Sequence, residues 1–211
     1  MSEERVFIEV DGQVTLEGGL SLPPNPAGGA LVLHPHPLYG GSMHNNVVLA
    51  LVQGAEQAGW AALRINFRGV GRSTGRHEDG RGEQDDVIAA AAWLRRRAPG
   101  PLVLMGYSFG SLVGARAAGR VAGLAGGVWV SPPYTLGELP PWPGEAGPLL
   151  VMTGDADEFG DLARLRPYME AMGARGTLIV TPGGDHFWWG GVSALTRESA
   201  EFLRKLGGGS V

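Results

Sequence analysis

Short apolar runs alternate along this chain with longer stretches in which apolar residues recur at helical spacing. Residues 30–33, 60–66, 102–105, 124–130, 149–153 and 177–180 are almost wholly apolar. Runs of that length and content predict strands covered on both faces. Between them the pattern predicts helices over 45–58, 83–97, 110–118, 161–172 and 193–206. Within 83–97, Val87, Ala90, Ala91 and Leu94 mark one helical face, and the acidic start and basic end complement the helix dipole. Pro167 predicts an interruption or restart of the helix over 161–172, because proline lacks the N–H that helix continuation needs. At the start of the chain, residues 6–10 and 14–17 alternate in polarity around Asp11-Gly12-Gln13, which predicts a hairpin closed by a tight turn.

An opening hairpin followed by alternating strands and helices predicts an α/β fold: a mostly parallel, twisted sheet of about eight strands with helices on both faces. In such a sheet the functional groups gather in loops at the carboxyl ends of the strands. No repeat, linker or second core interrupts the pattern, so residues 1–211 read as a single domain.

Composition narrows the partners. The formal charge is -4 with no basic stripe, which excludes nucleic acid. No apolar run approaches the length of a membrane span, and Met1-Ser2-Glu3-Glu4-Arg5 is unlike a secretory signal, so no membrane association and a cytoplasmic location are expected. The absence of cysteine removes disulfides, thiolate metal sites and a cysteine nucleophile together.

The candidate chemistry centres on Gly106-Tyr107-Ser108-Phe109-Gly110, where a predicted strand passes at once into a predicted helix. The stretch fits G-x-S-x-G, in which small residues let strand and helix approach and push the serine hydroxyl out on a strained corner. A serine attacks only if a base takes its proton and an acid holds that base. His186, in the loop after the last predicted strand, is the favoured base among five histidines. For the acid, the strand ending at Thr153 leads into Gly154-Asp155-Ala156-Asp157, and Asp157, deeper in the loop, is favoured over Asp155. The order Ser, Asp, His, each just after a strand, differs from that of chymotrypsin and subtilisin.

Two other patterns invite different chemistry. The loop Phe67-Arg68-Gly69-Val70-Gly71-Arg72-Ser73 suggests a phosphate cradle, but it lacks both the third glycine of G-x-G-x-x-G and the Lys-Ser/Thr of a P-loop. His34-x-His36 suggests a metal pair, yet no H-x-H-x-D-H or H-E-x-x-H accompanies it, so no metal is expected. These two side chains are read as shaping their loop, and His44 and His77 as surface residues.

Taken together, H-P-H-P-L-Y-G-G-S-M-H-N from His34, F-R-G-V-G-R-S from Phe67, G-Y-S-F-G from Gly106, G-D-A-D from Gly154 and G-D-H-F from Gly184 resemble the α/β-hydrolase superfamily over nearly the whole chain. Within it the sequence is similar to small bacterial carboxylesterase or dienelactone-hydrolase-like members. The resemblance implies Ser108 as nucleophile, His186 as general base and then acid, and Asp157 as its orienting partner. It implies an oxyanion hole made by the N–H of Phe109 and one N–H from the loop after residue 33. Pro35 and Pro37 have no N–H, which leaves His36 or Leu38 as that donor.

Only residues 131–148 lie where related hydrolases carry a helical cap, so an open, lid-less site is expected. Tyr39, Phe109, Trp142, Phe187 and Trp188 are the aromatic residues expected to line its pocket. The expected reaction is hydrolysis of small carboxylic esters without a cofactor. A thioester, lactone or amide as substrate, and a non-catalytic binding module, are the alternatives. Oligomeric state has no signal in the sequence.

Overall fold

The computed structural model describes residues 3–208. Met1 and Ser2 of the opening segment and Gly209 of the closing glycine run lie outside the described residues. The elements in chain order are β1 (Glu4–Asp11), β2 (Val14–Ser21), β3 (Gly29–Leu33), α1 (Asn46–Gln57), β4 (Ala61–Ile65), α2 (Gly82–Arg97), β5 (Leu102–Tyr107), α3 (Phe109–Ala118), β6 (Leu124–Val130), β7 (Leu149–Gly154), α4 (Leu162–Glu170), β8 (Gly176–Thr181) and α5 (Val192–Leu206).

The strands form one sheet in the order β1-β2-β4-β3-β5-β6-β7-β8. β1 and β2 pair antiparallel, β2 joins β4 antiparallel, and every pairing from β4 to β8 is parallel. Alternation along each strand sends side chains to two cores. On one face Ala30, Val32, Val103 and Met105 meet α1 and α5. On the other, Leu31, Leu33, Leu102 and Leu104 meet α2 and α3. This two-sided burial explains why the central strands read as continuous apolar runs.

β3 lies between β4 and β5, so the chain leaves β3 toward one edge of the sheet and leaves β5 toward the other. The two departing connections open a crevice at the carboxyl ends of β3 and β5, where open α/β sheets bind ligands. Between β6 and β7 there is only a short 3-10 turn, Tyr134–Leu136, so nothing roofs that crevice as a lid would.

β2 and α4 depart from the sequence expectation. β2 continues through Gly18 and Gly19 because these residues pair with Ile65 and Arg64 of β4. α4 runs through Pro167 without interruption. The proline occupies the second turn, where it removes only the bond to Ala163, and Asp161 caps the helix by accepting the Arg164 N–H at 3.1 Å.

Candidate active site

Ser108 occupies the turn between β5 and α3 with φ 51° and ψ -121°. Such a backbone costs on the order of 1–3 kcal/mol and persists only where its surroundings enforce it. Here the enforcement is steric. A Cβ on Gly106 would lie 2.6 Å from the carbonyl of Gly110, and one on Gly110 would lie 2.5 Å from the Leu33 oxygen. Both glycines are therefore required for the strand, the helix and β3 to approach this closely. The Ser108 N–H donates to Val130 O at 2.9 Å, which fastens the corner to β6.

The loops after β7 and β8 bring two side chains to this serine. His186 Nε2 lies 2.9 Å from Ser108 Oγ, and its Nδ1 lies 2.8 Å from Asp157 Oδ1. An ionised carboxylate only accepts, so Nδ1 carries the proton and Nε2 is left to accept the serine hydroxyl. The Asp157 side chain is 1% exposed, and Oδ1 also accepts the N–H groups of Phe159 and Gly160 at 3.0 and 3.1 Å. Burial opposes ionisation of Asp157, but the bond and charge of His186, the Ser131 hydroxyl and the Phe159 N–H together outweigh it and hold its pKa below the usual carboxylate value. Asp155, the alternative acid, instead accepts the Gly183 N–H at 2.6 Å and so ties the β7 loop to the β8 loop.

Phe109, next to the serine, and His36, in the loop after β3, each leave a backbone N–H without a partner among the described residues. Phe109 is the first residue of α3, and its N–H has no partner among the described residues, as expected for the first turn of a helix. The His36 N–H is likewise without a partner among them. The Leu38 N–H, by contrast, is engaged, donating to His36 Nδ1 at 3.2 Å.

Residues 31–142 match the family model of the alpha/beta hydrolase fold. The chain is an α/β-hydrolase. It is similar to an α/β serine hydrolase without a lid from Xanthomonas campestris, at 30% identity and a TM-score of 0.89, covering 100% of this chain and 98% of that one. An α/β serine hydrolase homologue from Coxiella burnetii has 29% identity and a TM-score of 0.83, covering 96% of this chain and 98% of its own. An uncharacterized protein of Rickettsia prowazekii is 33% identical over 172 residues, which are 75% of this chain and 71% of that protein.

A cleft of about 460 Å³ opens over Ser108 and His186 in this α/β-hydrolase. Tyr39 and Phe187 line it, as expected, together with His36, Tyr107, Leu136 and Phe159. Three expected pocket residues belong elsewhere. Trp142 is buried against Trp129, and its Nε1 donates to Gly147 O at 2.8 Å. Trp188 is 3% exposed, packs with α5 and donates from Nε1 to Ser131 Oγ at 3.0 Å. The Phe109 side chain packs in the core against Phe67, with the His36 and His77 rings beside it.

The remaining histidines divide by environment. His34 is fully buried: Nδ1 donates to Pro35 O at 2.6 Å and Nε2 accepts the Phe67 N–H at 3.1 Å. With both nitrogens engaged it shapes its loop and offers no metal ligand, and burial depresses its pKa to about 4. His44 is exposed. His77 is not a surface residue: its side chain is 10% exposed, with Nδ1 2.7 Å from the buried carboxylate of Glu83. Among the described residues no group of three or more His, Cys, Asp or Glu is arranged to hold a metal ion, and no helix is long and apolar enough to cross a membrane.

Residues that sequence reasoning did not single out hold His186 and its loop in place. The Tyr107 hydroxyl donates to the His186 carbonyl at 2.8 Å. Ser131, at φ 47° just beyond β6, links Trp188 to Asp157 through its hydroxyl. Asp185 Oδ1 accepts the N–H groups of Phe187 and Trp188 at 3.0 and 2.8 Å. A signal for Ser131 exists in its place at the carboxyl end of a predicted strand, where such sheets collect functional groups.

Proposed function

We propose that this α/β-hydrolase is a serine carboxylesterase that cleaves small, uncharged esters through an acyl-enzyme intermediate. The reading rests on one observation: the unbroken hydrogen-bonded line from Ser108 through His186 to Asp157, opening on an unroofed cleft beside two free N–H groups.

Ser108 Oγ attacks the ester carbonyl while its proton passes to His186 Nε2. The negative charge on the tetrahedral oxygen is met by the N–H groups of Phe109 and His36. Asp157 keeps the proton on Nδ1 and stabilises the imidazolium. Collapse breaks the carbonyl–alkoxy bond, and His186 returns the proton to the departing alcohol. Water then gives a proton to His186, attacks the acyl-serine and releases the acid, restoring the Ser108 hydroxyl. The cycle draws on no cofactor, since nucleophile, proton carrier and charge acceptor all belong to the chain.

The line is a feature of activated serines, and it would act equally on a thioester, a lactone or an amide. An uncharged cleft with no charged side chain in its lining favours neutral esters, because an ionic group buried there would lack a counter-ion. Labelling with an organophosphonate, which requires an activated serine, tests the catalytic reading against a non-catalytic binding module. Stoichiometric labelling at Ser108, absent from Ser108→Ala, is the expected result; an unlabelled wild type would contradict it. Matched ester, thioester, lactone and amide substrates then rank the acyl bonds, with the ester expected first.

A further inference from the structure

The wall of the cleft is made of rings. Of its lining side chains only Leu136 is an open-chain aliphatic, whereas Tyr39, Tyr107, Phe159 and Phe187 are aromatic. A cleft suited to flexible alkyl chains would be lined by Leu, Ile, Val or Met. Beside the base, the rings of Phe159 and Phe187 meet edge to face, with centroids 6.3 Å apart and planes at 83°. Phe187 also stands edge-on to His186, at 5.7 Å and 88°. Phe159 lies 4.6 Å from the same imidazole. These rings are not consumed by the core: Phe159 is 39%, Phe187 50% and Tyr39 85% exposed. Clustered aromatic surface left open around a cleft marks a ligand site. An aromatic ring entering it extends the edge-to-face array, which a saturated ring of the same size does not.

The lining holds no Lys, Arg, Asp or Glu side chain. A carboxylate on the substrate would enter without a cation to meet it, with Asp157 already ionised behind His186.

We propose that the cleft selects esters carrying a neutral aromatic ring next to the scissile bond, held against Phe159 and Phe187. The inference rests on the carboxylesterase reading and narrows its substrate class. Either half of the ester can carry the ring, and the experiment separates the two.

The test is kcat/KM by titration of released acid, with esters whose methylene insulates the carbonyl from the ring. Methyl phenylacetate is compared with methyl cyclohexylacetate for a ring on the acyl side. Benzyl acetate is compared with cyclohexylmethyl acetate for a ring on the alcohol side. The expected result is a preference for the aromatic member of roughly two- to twelvefold in at least one pair. In Phe187→Leu the ratio measured within that variant should fall toward one, whatever its absolute rate. Monomethyl succinate should be hydrolysed at least about tenfold more slowly than methyl butyrate. Equal rates within both pairs for the wild type, or a ratio unchanged in Phe187→Leu, would overturn the inference while leaving the esterase reading intact, as long as methyl butyrate is cleaved. Failure to cleave any ester, methyl butyrate included, would overturn both.

Discussion

The two halves of the site differ in how far polar bonds add to the packing that holds them. On the β3–β5 side, Ser108 sits where backbone meets backbone. Gly106 and Gly110 leave no room for a methyl group, and the flanking Leu31, Leu33, Leu104 and Met105 are fully buried. On the β7–β8 side, every residue of β8 is only partly buried or exposed, and the loop carrying His186 is fixed by separate polar bonds from Tyr107, Asp155 and Asp185. Ser108 is positioned chiefly by packing, which admits almost no variation. His186 is positioned by hydrogen bonds that can be removed singly, beside one close backbone approach, Gly154 on Gly184, and the buried Trp188. A strained serine needs surroundings that cannot relax, whereas a histidine in the proposed proton-carrying role needs above all its orientation held.

Gly110→Ala strikes the packed half and carries the largest expected effect. Its Cβ would meet the Leu33 and His34 carbonyl oxygens at 2.5 and 2.7 Å, so a loss of about 3 kcal/mol of stability is expected in urea unfolding. A variant as stable as the parent would show that this corner yields.

His34 supplies the next effect, through pH. Its pKa is depressed from 6.5 to about 4 by burial, so the unfolded chain takes up the proton first as pH falls. Its contribution is complete above pH 6.5 and is lost progressively toward pH 4. Between pH 7.5 and pH 5 this amounts to about 2 kcal/mol. His34→Gln, whose amide oxygen can accept the Phe67 N–H, should lack that component of the acid destabilisation. Unfolding curves at the two pH values decide it, and an identical pH dependence in both proteins would refute it.

Tyr107→Phe tests the polar half and should be the mildest change. Loss of the bond to the His186 carbonyl is expected to lower kcat/KM roughly five- to tenfold, with the loss in kcat rather than KM, and to cost about 1 kcal/mol of stability. An unchanged kcat/KM would show that this bond does not hold His186 in its orientation.

The same contrast explains what was legible in the sequence. β6 appears over the residues that its apolar run predicts, and the Ser, Asp and His loops follow strands as expected, because strand content and glycine spacing are local signals. The extension of β2 through Gly18 and Gly19 was not legible, since two glycines read as a break unless β4 lies alongside. Trp142 and Trp188 carry the same local character as Phe187, and only the fold separates a tryptophan beneath the sheet loops from a phenylalanine at the cleft. His77 stands in a polar stretch with Arg76, Glu78 and Asp79, so nothing local announces that its ring lies against Glu83. That the Leu38 N–H is engaged on the His36 imidazole while the His36 N–H is not engaged is something no spacing encodes.

The most direct test of the central claim is hydrolysis of p-nitrophenyl esters from acetate to octanoate by the wild type and by Ser108→Ala under identical conditions. Turnover by the wild type is expected to be greatest at short acyl length and to fall by at least about a thousandfold in the variant. Equal activity in the two proteins, or no turnover of any ester by the wild type, would contradict it.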